Sequence, residues 1–208
     1  MAVSKNVTII AREGYGHIVL AFLPFALAVY GNFFAFFTYL FFFLFVFTLY
    51  FFRNPERIVA DDTFGSVLSP IDGVIEGIDR LEDGSGVRVR IRNGMFDTHI
   101  VRAPFKSTVR GISRRYGMAV VGDREKALRL NGRCSVLFDE VSVNVVTTFF
   151  PYDMACYFVQ DEGVRHGERI GFLYTGHMEI VLPNTINLHI DIGDRVKSAE
   201  SLIGIIKE

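Results

Sequence analysis

In the stretch GFLYTGHMEIVLP (171–183), apolar Met178, Ile180 and Leu182 alternate with His177 and Glu179. Successive side chains on a β-strand point to opposite faces, so this pattern predicts a strand with one buried face. INLHIDI (186–192) alternates in the same way, and GVRVRIR (86–92) and VSVNVVTTFF (141–150) alternate or are rich in β-branched residues. Gly, Pro and Asp punctuate these runs, as in the Pro-Asp-Gly turn expected within SPIDG and the Gly-Asp turn expected after Ile192. Only DREKALRL (123–130) carries a weak helical pattern. Residues 58–208 are therefore expected to form a mainly β domain. Hairpins of this kind also occur in biotinyl and lipoyl carriers, but a carrier needs its lysine at the hairpin tip, and Lys197 lies beyond the turn.

The N-terminal part differs in kind. No Asp, Glu, Lys or Arg occurs from Gly14 to Phe52, and most of the 21 phenylalanines precede residue 53. As one helix, residues 18–52 would reach about 50 Å, against a hydrocarbon core of about 30 Å. Gly31-Asn32 reads as a turn dividing the run into residues 18–30 and 33–52. The expectation is a membrane helical hairpin with a linker over residues 1–57, either two crossings or a re-entrant loop. Lys5 and Arg12 precede it and Arg53 and Arg57 follow it, which places both ends, and the β domain, on the cytoplasmic face of the membrane.

Net charge is −1 with both signs interspersed, which gives no electrostatic case for nucleic acid. Cys134 and Cys156 are the only cysteines and form no CxxC pair, so a disulfide framework is not expected.

Four segments, FFRNPER (51–57), SPIDG (69–73), FDTHIVRAP (96–104) and GERIGF (167–172), occur in sequence order behind the apolar run. Together they resemble the phosphatidylserine decarboxylases, most closely the short bacterial and archaeal branch. The resemblance implies a sandwiched-barrel-like fold, membership of the lyases and a place in phospholipid metabolism. In that family the proenzyme cuts itself at a Gly-Ser bond, and the serine becomes a pyruvoyl group that forms a Schiff base with the substrate amine. By the same resemblance, Asp72 matches the acid that helps activate the serine, and His99 the histidine beside the reacting group. Arg102 follows at the short branch's spacing and, with residues 174–177, is implied in substrate binding. Taken alone, Asp72 could be a turn residue before Gly73, and His99 could pair with Asp97 on one strand face.

Aligned on Leu182-Pro183, the short-branch pattern FGSR falls on Tyr174, Thr175, Gly176 and His177. Glycine occupies the serine position, and His177 stands where the family has arginine. Glycine has no side-chain oxygen, so no pyruvoyl group arises at residue 176 and no cofactor is expected. A shifted cut could use Thr175, although a neighbouring strand residue would face away. The other Gly-Ser pairs, Gly65-Ser66 and Gly84-Ser85, would leave the wrong fragment. Three pairs, Asp97/His99, His177/Glu179 and His189/Asp191, have the His-x-acid spacing of metal ligands, but such pairs are common on polar strand faces and no metal is expected.

Three readings follow. One is an unprocessed pseudoenzyme that retains a pocket for an aminophospholipid and acts alone, as a homo-oligomer or beside a lipid-synthesis partner. The second is an active carboxy-lyase, making phosphatidylethanolamine, with an atypical processing site. The third is a membrane-anchored scaffold. Intact SPIDG and DTH segments favour the first over the third, and Gly176 favours the first over the second.

Overall fold

A computed structural model describes residues 8–31, 34–61, 63–115, 117, 120, 126, 130–139, 141–147 and 155–207. Contacts divide the chain into two units, Asn6–Pro55 and Glu56–Glu208.

The first unit holds two helices, α1 (Gly14–Tyr30) and α2 (Ala35–Phe51). The chain leaves α1 at Gly31, whose N–H bonds back to Leu27 O, and Asn32 of the expected Gly31-Asn32 turn lies outside the described residues. Phe25 packs against Phe42 and Phe45, and Ala11 N–H donates to Phe52 O, so the two helices run against each other with their outer ends joined. The expected membrane hairpin is not what forms. Each helix has 17 residues, about 25 Å at 1.5 Å per residue, and no helix among the described residues is long and apolar enough to cross a membrane. The reason for the difference is local. An uncharged run counts residues that the turn and the helix ends consume, so the length of the run overstates the length of helix. Lys5 lies outside the described residues, and the topology inferred from it lapses with the hairpin.

The second unit is built from strands β1 (Ser66–Leu68), β2 (Gly73–Arg80), β3 (Gly86–Asn93), β4 (Ile100–Arg102), β5 (Ser107–Thr108), β6 (Gly111–Arg115), β7 (Arg133–Leu137) and β8 (Ser142–Thr147). They are followed by β9 (Ala155–Cys156), β10 (Gly163–Val164), β11 (Arg169–Phe172), β12 (Gly176–Pro183), β13 (Ile186–Leu188), β14 (Arg195–Val196) and β15 (Leu202–Ile206). Seven form one sheet in the order β14-β2-β3-β12-β8-β7-β6, and the rest form β1-β15-β13, β4-β11-β9 and β10-β5. Every pairing is antiparallel. The mainly β expectation is met, but the sandwiched barrel is corrected. Among the described residues the large sheet stays open, with β14 and β6 at its edges, and no strands close a barrel. The helical expectation for 123–130 falls largely outside the described residues.

Strand β12 shows why the large sheet forms. Its burial alternates without exception, with Met178, Ile180 and Leu182 inside and His177, Glu179 and Val181 toward the other face. Opposite it, Val89 and Ile91 of β3 are buried, while Arg88 and Arg90 join Glu179 and Asp79 on the outer face. Each buried aliphatic side chain contributes about 1.5–3 kcal/mol, whereas an exposed ion pair contributes about 0–1 kcal/mol. The apolar face therefore sets the register. Val67, Val101, Ile170 and Ile203 from the smaller sheets share one core cluster with it.

Candidate functional site

The segment SPIDG delivers Asp72 to the start of β2. Ser69 Oγ donates to Ile71 O at 2.7 Å, which bends the chain, and β2 then begins at Gly73. A Cβ at residue 73 would lie 2.3 Å from Arg92 O, so only glycine lets β2 approach β3 this closely. Asp72 is buried, and its carboxylate is doubly held. Arg57 Nη2 donates to one oxygen at 2.7 Å and the Ser198 backbone N–H to the other at 2.8 Å. Arg57 also pairs with Glu200 at 3.1 Å. A charge-assisted pair of this kind is what makes a buried carboxylate tolerable.

Asn93, the last residue of β3, connects the remaining parts. Its Nδ2 donates to Asp72 O at 2.9 Å and to Thr98 O at 3.1 Å, and its Oδ1 lies 3.0 Å from His99 Nδ1. Both neighbours of Nδ2 are carbonyls, which fixes the amide orientation and leaves its oxygen facing the histidine. The Nδ1 of His99 must then carry the proton, and in the neutral ring Nε2 holds the lone pair. His99 is fully buried, and Phe172 packs against its ring at 5.8 Å.

Gly176 stands directly opposite Asn93 in the β3–β12 register and opposite Thr147 on β8. The structure thus brings Asp72, His99 and Gly176 together through one asparagine. Tyr174 joins the group through Phe172, with rings 5.1 Å apart. Arg102 is buried, donates from Nη1 to Gly167 O at 3.0 Å and pairs in register with Arg169. Burial first, then the charges of Arg169 and Arg57, lower its pKa to about 10. Arg169 is itself bound to Glu56 at 2.7 Å, so three guanidiniums and the carboxylates of Glu56, Asp72 and Glu200 form this part of the domain.

His177 belongs elsewhere. Its Nδ1 lies 3.0 Å from Glu76, which also binds Arg92 at 2.9 Å, on the sheet face away from Asn93. Thr175 is not a strand residue as the sequence reading assumes. It lies with Tyr174 in a bend between β11 and β12, so strand alternation does not fix its direction. It is 6% exposed, and its Oγ1 has no hydrogen-bond partner among the described residues. The three His-x-acid pairs do not converge: Asp97 accepts from Gly94 N–H, and His189 lies near Asn187. No group of three or more metal-ligating side chains occurs among the described residues. Gly65 and Gly84 both have positive φ, +81° and +69°, which gives each a turn role. Asn93, Arg57 and Ser198 escaped the sequence reading. Arg57 sits inside the FFRNPER match, whereas Asn93-Gly94 reads only as a turn.

A buried histidine held by Asn93 thus lies on the β3 side of Gly176, and the same asparagine's bond to Asp72 O links it to the ion-pair group of Asp72, Arg57 and Glu200. The family model described as phosphatidylserine decarboxylase matches residues 44–204, and the chain belongs to that family. The phosphatidylserine decarboxylase proenzyme of Desulfotalea psychrophila is 29% identical over 180 residues, covering 81% of this chain and 84% of the relative. That of Ralstonia nicotianae is 29% identical over 209 residues, with 94% of each chain covered. That of Syntrophus aciditrophicus is 28% identical over 211 residues, covering 96% of this chain and 99% of the relative. No solved structure matches the chain.

The residues at 174–176 do not fit a serine-derived pyruvoyl group. Forming one needs a hydroxyl to attack the preceding carbonyl and then to be eliminated, and Gly176 has none.

Proposed function

We propose that this protein is a phosphatidylserine decarboxylase relative of phospholipid metabolism that binds an aminophospholipid and does not convert itself to the pyruvoyl form. The observation that carries the reading is the position of Gly176, opposite the asparagine that ties Asp72 to His99. The polar surroundings of the reacting residue are kept and the reacting residue is not. In this reading His99 and Arg102, both buried, act on the headgroup through the segments they hold, His99 through Asn93 and Arg102 through Gly167 O. Asp72 holds Arg57 and the Ser198 main chain in place instead of activating a hydroxyl. Binding to vesicles containing phosphatidylserine, compared with pure phosphatidylcholine, tests the reading. Preference for the serine lipid that His99→Ala weakens is expected, and equal binding to both would refute it.

One observation favours a second reading. The buried Thr175 hydroxyl lies in a bend and lacks a partner among the described residues, which suits self-cleavage before Thr175 to give a threonine-derived 2-oxobutanoyl end. Intact mass separates the two.

A further inference from the structure

Cys134 on β7 and Cys156 on β9 are both free thiols, with their sulfurs 3.8 Å apart. They come from different sheets. Cys134 pairs in register with Arg114 of β6 and Val145 of β8 in the large sheet, while Cys156 pairs with Gly171 of β11. Cys134 is 1% exposed and Cys156 is half-buried, so a reagent from solvent meets Cys156 first. The Arg114 guanidinium interacts with both sulfurs, and its pKa is held above its ordinary value first by the charge of Cys156. A cation beside a thiol favours the thiolate, which is the nucleophile in disulfide exchange.

We infer that Cys134 and Cys156 form a thiol–disulfide modification site, in which Cys156 takes the oxidant and Cys134 resolves it. The co-reactant is a low-molecular-weight disulfide. Cys156 thiolate attacks one of its sulfurs, which breaks the S–S bond, forms a mixed disulfide and releases one thiolate. Cys134, as thiolate, then attacks Cys156 Sγ and displaces the second. Two protein thiols are oxidised to one disulfide, the co-reactant is reduced to two thiols, and the released thiolates take up the two protons. A disulfide needs sulfurs about 2.0 Å apart, so the change is a side-chain adjustment. In a reducing compartment the pair rests as the dithiol. Oxidation would tie the large sheet to the sheet whose strand β11 leads into the Tyr174-Thr175 bend, and so couple redox state to the candidate site.

The test uses the full folded chain, reduced and then equilibrated with oxidised glutathione, with peptide mapping by mass spectrometry. The expected product is one disulfide joining the peptides of Cys134 and Cys156, reversed by dithiothreitol. Cys134→Ala should trap a single glutathione on Cys156, and Cys156→Ser should take up none at Cys134. Separate glutathionylation of both cysteines in the native chain would overturn the inference. So would thiols that stay unmodified until the chain unfolds.

Discussion

Replacing Asn93 by alanine removes three buried hydrogen-bond partners at once: the donors to Asp72 O and Thr98 O, and the acceptor for His99 Nδ1–H. Leaving a buried polar group unsatisfied costs about 1–3 kcal/mol. Asn93 is 4% exposed and His99 is fully buried, so bulk water does not reach these groups readily. Discounting for a water that could enter the space left by the amide, the expected loss is about 4 kcal/mol. That is a large part of the 5–15 kcal/mol roughly typical of a domain. The chain has no Trp and eight Tyr, so urea unfolding is best followed by near-ultraviolet circular dichroism. With a slope of about 2 kcal/mol per M, the midpoint should fall by roughly 2 M. Asn93→Asp should cost at least as much, because it keeps the acceptor for His99 but turns a carboxylate toward two carbonyls. A loss below about 1 kcal/mol for Asn93→Ala, at unchanged slope, would refute the claim that this residue holds the site together.

Thr175→Gly combined with Gly176→Ser restores a Gly-Ser bond beside His99; it should recover partial self-cleavage into residues 1–175 and 176–208, and an intact product after long incubation would count against a preserved site. Gly73→Ala would place a Cβ 2.3 Å from Arg92 O; overpacking at a backbone contact should lower thermal or urea stability by about 2 kcal/mol, and a neutral effect would mean that β2 can yield. The Asp139 carboxyl is held below its ordinary value of 3.8, first by the Arg110 side chain and then by Ser107. Stability from that interaction is present above pH 3.8 and lost as pH falls through the lowered value in the folded state. Arg110→Ala should move the midpoint of Asp139, read by NMR titration, upward toward 3.8.

What the sequence made legible follows the range of the forces involved. The burial of Met178, Ile180 and Leu182 depends on alternation within one strand, and it reads directly. The turn at Gly31 is equally local. The membrane hairpin failed because hydropathy reports how apolar a run is, and helix length is decided by where the chain turns. The barrel failed because closure depends on pairings among distant segments, such as β14 with β2 and β8 with β12, which no local pattern encodes. Asp72, His99 and position 176 were singled out only by resemblance, since each alone has an ordinary structural explanation. Asn93 was not found, because its role rests on main-chain carbonyls at residues 72 and 98 that any residue could supply.

Intact-mass spectrometry of the purified full chain under denaturing conditions tests the central claim most directly, because the proposed function turns on whether the bend at residues 174–176 is ever cut. The expected result is one species with the mass of all 208 residues and no carbonyl-modified terminus. Two fragments meeting at Tyr174-Thr175, the second beginning with a threonine-derived 2-oxobutanoyl group, would contradict it.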